Sequence, residues 1–181
     1  TQRGRLEYSK GGGRCYTDAL DNSAGVNISD HEVNLKIMLF YLLEKGEIKN
    51  LEERNRLLCD MTDQVSQQAL RNNYLQSAAC SIDSMRAAKN PEDFIFVIDE
   101  MERTAGLDRA EEFIPSSQDL KEALQKGENV FSRPMIATLI GYQKMVYYRI
   151  VIESGLLDSF YVHKYLIDYF PDKMKSCLLY T

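Results

Sequence analysis

The sequence is poor in the residues that most catalytic chemistry requires. It has two histidines and four cysteines in 181 residues. Cys15, Cys59, Cys80 and Cys177 form no CxxC pair and have no histidine nearby, which argues against a zinc site. They read as free thiols of a reducing cytosol. A long unbroken apolar run is also lacking. The nearest to one, 135–152, is interrupted by Gln143, Lys144 and Arg149 and is too polar to cross hydrocarbon. There is no basic excess: the net charge is -5 and Lys and Arg are scattered among Asp and Glu, so no cationic face is offered to nucleic acid. At Thr1 the chain has no methionine, no apolar leader and no basic transit pattern, and so reads as starting inside a longer protein.

What is present is the composition of a folded helical body. Hydrophobic residues make up 44% and charged residues 27%, enough for a core and too little charge for disorder. From about Asn27 on, helix starts and stops follow one another. Ser29-Asp30-His31-Glu32 fits a capping box, and the apolar residues from Val33 to Leu43 predict a helix buried on most sides until Gly46. Leu58, Met61, Val65, Ala69, Leu75, Ala78, Ile82 and Met85 recur at helical spacing, so Leu51 to about Ala88 reads as one or two helices. Asp60–Asp63 is a candidate joint. Unbroken, that stretch would measure about 57 Å at ~1.5 Å per residue, long for so small a domain, which predicts an interruption or a protruding arm.

Further along, Asn90-Pro91-Glu92-Asp93 opens a helix that Gly106 stops, and a short turn covers Asp108 to Phe113. Pro115-Ser116-Ser117 starts the next, ended by Gly127, and Ser132 with Pro134 opens a long one ending before Gly155. A last helix, about Asp158 to Tyr169, puts Tyr161, Tyr165 and Tyr169 on one stripe. That stripe is either an oligomer contact or the outer edge of the chain's own core.

The front end differs. Arg14 to Thr17 reads as a short strand between Gly11-Gly12-Gly13 and the turn-rich Asp21-Asn22-Ser23. A lone strand leaves backbone groups unpaired, so it makes sense as the last strand of a sheet lying upstream, with residues 1 to about 25 poorly ordered or borrowing contacts from a neighbour. The three glycines lack the spacing of a phosphate loop and read as a helix stop. Asp18, Asp21, Asp30, His31 and Glu32 are dense enough in acids to suggest a hard-metal site, but the helix start accounts for Asp30 and Glu32, and no metal is assigned. His163, on an amphipathic helix beside tyrosines, is given no role.

One stretch carries more. Asn22-Ser23-Ala24-Gly25-Val26, followed three residues later by Ser29, resembles the NAGGV segment that ends the nucleotide-binding domain of glutamate dehydrogenases. The wider string TDALDNSAGVNISDHEVNLKI, 17–37, is similar to the large bacterial NAD-specific branch of that family. So are GLDRAEEFIPSSQDL, 106–120, and the MTDQV and LRNNYLQ segments before it. Two departures stand out: Ser23-Ala24 replaces Ala-Gly, and Asp30 puts a negative charge beside Ser29.

The resemblance implies a mainly α chain. A multi-helix domain, 29–181, would follow a short remnant, 1–28, of an α/β Rossmann-type domain: a helix, the last strand and the substrate loop. It implies part of an NAD-dependent enzyme that converts L-glutamate and water to 2-oxoglutarate and ammonia. By carry-over, Asn22 and Gly25 lie at the nicotinamide end of the cofactor, and Val26 and Ser29 line the glutamate pocket. The family's lysines, aspartate and dinucleotide loop match nothing here, so no catalytic residue is assigned and the fragment is expected to be inactive alone. Its partners would be the upstream catalytic domain and further copies of itself in a cytoplasmic homo-oligomer, without nucleic acid or membrane. The competing reading is a non-catalytic helical oligomerisation or interaction module.

Overall fold

The computed structural model describes residues 1–178, with side chains to Lys175. Its described elements are helical: α1 Gln2–Lys10, α2 Asp18–Asp21, α3 Ser23–Glu44, α4 Leu51–Lys89, α5 Pro91–Ala105, α6 Arg109–Glu112, α7 Ser117–Gln125, α8 Arg133–Glu153, α9 Phe160–Tyr169 and α10 Asp172–Leu178, with a 3-10 turn at Leu156–Asp158. The chain divides into two compact units. The first is Thr1–Asp21 with Leu75–Ser154, and the second is Asn22–Tyr74 with the chain from Gly155 on.

In the first unit α5 packs on α7 and α8, and α1 on α8. The core holds Leu6, Cys80, Ala87, Ile95, Ile98, Leu120, Phe131 and Ile136. Local signals set these helices. The Asp108 carboxylate accepts from the amides of Ala110 and Glu111, Ser116 Oγ accepts from the Asp119 amide, and Ser132 Oγ accepts from that of Met135. Gly106 closes α5 at φ 72°, a left-handed position that a side chain would strain.

Residues 1–21 are tied to the rest of the first unit. Leu6 is buried, Gln2 Nε2 donates to Thr138 Oγ1 at 2.9 Å, and Arg133 donates to the Tyr16 hydroxyl at 3.0 Å. The predicted strand Arg14–Thr17 is a non-helical link, and no strand forms among the described residues. In place of a sheet ladder, the Arg5 guanidinium donates to the Tyr16 carbonyl at 3.0 Å and pairs with Asp18 and Asp21.

The second unit is built around one face of α3: His31, Leu35, Leu39 and Leu42, packed with Ile48, Met61, Val65, Phe170 and Met174. Two expectations fail here. Helix α3 begins at Ser23 with Asn22 as its N-cap, so Ser29 is the seventh helical residue and no capping box forms. The early start is fixed by contacts remote in sequence. Ser23 is buried and its hydroxyl donates to Asn73 Oδ1 at 2.6 Å, while Asn72 Nδ2 donates to Asn27 Oδ1 at 3.0 Å. Glu32 bonds Lys36 instead of reaching back. Nor is α3 buried on most sides, since Val33, Ile37 and Phe40 are more than half exposed.

Helix α4 is unbroken for 39 residues, and Asp60–Asp63 is no joint. Met61 is buried among the second unit's side chains, and Asp60 points the other way to pair with Lys173 at 2.7 Å. The acids that suggest a break are simply the wet side of the helix. Its first part, to Tyr74, belongs to the second unit, and the remainder to the first. The four-cysteine reading is met at Cys15, Cys59 and Cys80, which are free; the Cys177 side chain lies outside those described.

Candidate functional site: the outer face of α3

Helical geometry brings the four residues singled out by the sequence onto one surface. Asn22, Gly25, Val26 and Ser29 stand at i, i+3, i+4 and i+7, the spacing of a single helix face, and all four are exposed. The opposite side carries Ser23 and Asn27, which are tied to Asn73 and Asn72. Those ties fix which way the outer face looks within the unit. The side-chain amide of Asn22 makes no capping bond, which leaves its donor and acceptor for a ligand. A Cβ at Gly25 would sit 3.4 Å from Asn22 Oδ1, an ordinary contact, and the glycine leaves that space bare.

The start at Ser23 also moves the electrostatics. The positive end of the dipole belongs to the first turn, Ser23–Val26, and not to Ser29. An anionic group would therefore be drawn toward Asn22 and Gly25. Ser29 offers its hydroxyl alone, and the exposed Asp30 stands next to it. Beyond Ser29 the face turns apolar through Val33, Ile37 and Phe40, which are 54%, 64% and 53% exposed. This surface runs from carboxamide to hydroxyl to exposed apolar side chains.

The remaining sequence candidates scatter. Asp18 and Asp21 hold Arg5, and Glu32 holds Lys36. Among the described residues no three His, Cys, Asp or Glu side chains gather as metal ligands. Gly11-Gly12-Gly13 ends α1, with Gly12 at φ 87°, and Gly12 and Gly13 border a cavity of about 960 Å³ lined also by Leu6, Leu120 and Phe131. His163 is exposed beside Phe160. The tyrosine stripe splits: Tyr161 and Tyr165 are 84% and 74% exposed, while Tyr169 packs in the second unit against His31.

Two features were missed by sequence reasoning. Arg109, within the 106–120 string, reaches Asp99 at 2.5 Å, Glu102 at 2.7 Å and the Pro115 carbonyl at 2.6 Å. The second is the burial of His31. Its position four and eight residues before Leu35 and Leu39, on their face, was the available signal.

The arrangement is a helix that presents these four residues on one exposed face. Residues 1–83 match the family model described as bacterial NAD-glutamate dehydrogenase, catalytic domain, and residues 128–177 match glutamate dehydrogenase, C-terminal. The chain belongs to the family of bacterial NAD-glutamate dehydrogenases. It is 36% identical over 174 residues to the NAD-specific glutamate dehydrogenase of Halomonas elongata, covering 96% of this chain and 11% of that protein. Against the Pseudomonas aeruginosa protein of the same name it is 36% identical over 171 residues, 94% and 10% of the two chains. Against that of Mycobacterium tuberculosis it is 35% identical over 176 residues, 97% and 11%. The chain thus spans about a tenth of the length of these relatives. No solved structure matches it.

Proposed function

We propose that this chain is part of an NAD-dependent glutamate dehydrogenase, which oxidatively deaminates L-glutamate with water to 2-oxoglutarate and ammonia. In this reading the segment to Ile28 closes the nucleotide-binding domain and 29–181 is the helical domain that follows it. The observation that carries the reading is that Asn22, Gly25, Val26 and Ser29 share one exposed face of α3, inside the stretch that matches the catalytic-domain family model.

NAD, when bound by the complete enzyme, accepts the hydride. The residues here suit its carboxamide end: Asn22 has an uncommitted amide, and Gly25 leaves the backbone approachable. Val26 supplies apolar surface for the methylenes of glutamate, and Ser29 donates its proton to the distal carboxylate. These groups bind and orient; they carry out neither the hydride transfer nor the proton transfers at nitrogen and water. The upstream catalytic domain supplies that chemistry, so the chain by itself gives no glutamate-dependent NAD reduction.

Ser29→Ala in the complete enzyme tests the assignment. Loss of a hydrogen bond to a charged carboxylate costs about 1.5–3 kcal/mol, or roughly a 10- to 150-fold fall in kcat/KM for glutamate, with the KM for NAD unchanged. Unchanged kcat/KM would remove Ser29 from the site.

A second, compatible role is assembly. Phe160, Tyr161 and Tyr165 are each more than 70% exposed on α9, which favours an interaction surface within a homo-oligomer over an edge of the chain's own core. No described helix is long and apolar enough to cross a membrane. A cytoplasmic site of action is part of this reading, and the unbridged Cys15, Cys59 and Cys80 support it.

A further inference from the structure

Among the described residues of the second unit, His31 is a buried side chain that neither the fold nor the proposed site explains. Only 2% of it is exposed, and neither Nδ1 nor Nε2 has a hydrogen-bond partner among the described residues. Its ring lies flat on that of Tyr169, centroids 4.4 Å apart and planes inclined by 15°. Tyr169 is the last residue of α9 and is held on three sides. Asn34 Nδ2 donates to its hydroxyl at 2.8 Å, Gln68 Nε2 donates to its carbonyl at 3.2 Å, and Phe170 meets its ring edge-on at 5.2 Å. The stack therefore sits where the α9–α10 joint meets α3 and α4.

A neutral imidazole already has one N–H without an acceptor in this position. An imidazolium would have two, together with a charge that apolar neighbours cannot solvate. The closed state can hold the ring only while it is neutral. We propose that the His31–Tyr169 stack is an acid-released clasp: neutral, it closes the α9–α10 joint on α3, and proton uptake by His31 frees both.

The electrostatic surroundings agree. Burial pushes the His31 pKa down, and the opposing pull of the neighbouring Asp30 is the smaller effect. The charged groups on the elements around it include Asp30, Glu32 and Lys36 on α3, Asp60 and Asp63 on α4, Lys164 and Asp168 on α9, and Asp172, Lys173 and Lys175 on α10. Lys173 holds the Asp60 carboxyl below its usual value, Lys175 does the same for Asp172, and Asp172 raises Lys175. These three keep their charge from pH 7.5 to 5.5. The sign follows: with the folded value depressed, stability from this group is complete above the unfolded value, about 6.5, and falls as pH drops below it.

Hydrogen-exchange mass spectrometry of the full chain at pH 7.5 and 5.5, corrected for intrinsic exchange, tests the clasp. If the closed ring stays neutral, the opening equilibrium of α3 and α9–α10 rises by about tenfold over this interval. Protection of α5 in the first unit is expected not to change. His31→Phe, which keeps a stacking ring without a proton, is expected to abolish the difference, and His163→Gln to retain it. Should His31→Phe fold poorly, the Hε1 resonance of His31 in the unaltered protein decides. The clasp requires that resonance to titrate only as α3 loses protection. A pH-independent α3, an undiminished effect in His31→Phe, or a ring that titrates while α3 remains protected would each overturn the proposal.

Discussion

The two units are both small helical cores, yet the start of α3 is set by other means than the helix ends of the first unit. In the first, each helix from α5 to α8 has a start or stop written within four residues of its end: Asn90 and Gly106, Asp108, Ser116 and Gly127, Ser132 and Gly155. In the second, the start of α3 is fixed by asparagines some fifty residues away, and a buried histidine stands where an aliphatic side chain would be expected. Local chemistry suffices where a helix end is wet. Where an end is packed, tertiary partners override it.

Core truncation should give the largest effects and test whether the units melt apart. Ile98 in the first and Leu39 in the second are fully buried, and changing either to alanine is expected to cost about 2–5 kcal/mol. Hydrogen exchange should show Ile98→Ala loosening α5, α7 and α8 before α3, and Leu39→Ala the reverse. Equal loosening everywhere would show one cooperative body.

Arg109→Ala comes next. Its guanidinium is only 13% exposed and satisfies Asp99, Glu102, Ser117 and the Pro115 carbonyl. Because Asp99 and Glu102 are partly solvated, screening reduces the effect to about 1–3 kcal/mol, read as a lower denaturant midpoint with unchanged m.

The smallest pair sharpens the comparison most. Ser116→Ala removes a working cap and should lower stability by about 1 kcal/mol. Ser29→Ala, at a solvent-facing position inside α3, should leave stability within about 0.5 kcal/mol or raise it slightly, because alanine is the better helix former. A cap-sized loss at Ser29 would mean that α3 starts later than Ser23.

The helical class was legible because Pro91, Pro134 and the caps are local signals with local causes. The start of α3 was not, because Ser23-Ala24-Gly25-Val26-Asn27 contains poor helix formers and its support comes from Asn72 and Asn73 on another helix. Asp60–Asp63 suggested a joint because acids were read without their face: one looks to Lys173 while Met61 turns inward. Helix α10 went unread because its seven residues follow Pro171 and depend on Met174 finding the core of the second unit. At the candidate site, the identities of Asn22, Gly25, Val26 and Ser29 came from resemblance. Their common face came from the unforeseen early start of α3, which turned a loop with a cap into two turns of one helix.

Cys80 gives the first unit a chemical clock. It is fully buried, and burial first, then the charge of Asp83, pushes its thiol up to about 11. Thiolate is the species that attacks alkylating reagents, so at neutral pH the folded unit hides this sulfur twice, by access and by protonation. Cys59, on the exposed side of α4, lacks the protection of burial. In a mixture with a maleimide, Cys59 would be modified at once, while Cys80 would be modified only as often as its unit opens. The lag between the two masses is then a direct reading of that opening, taken without altering a residue.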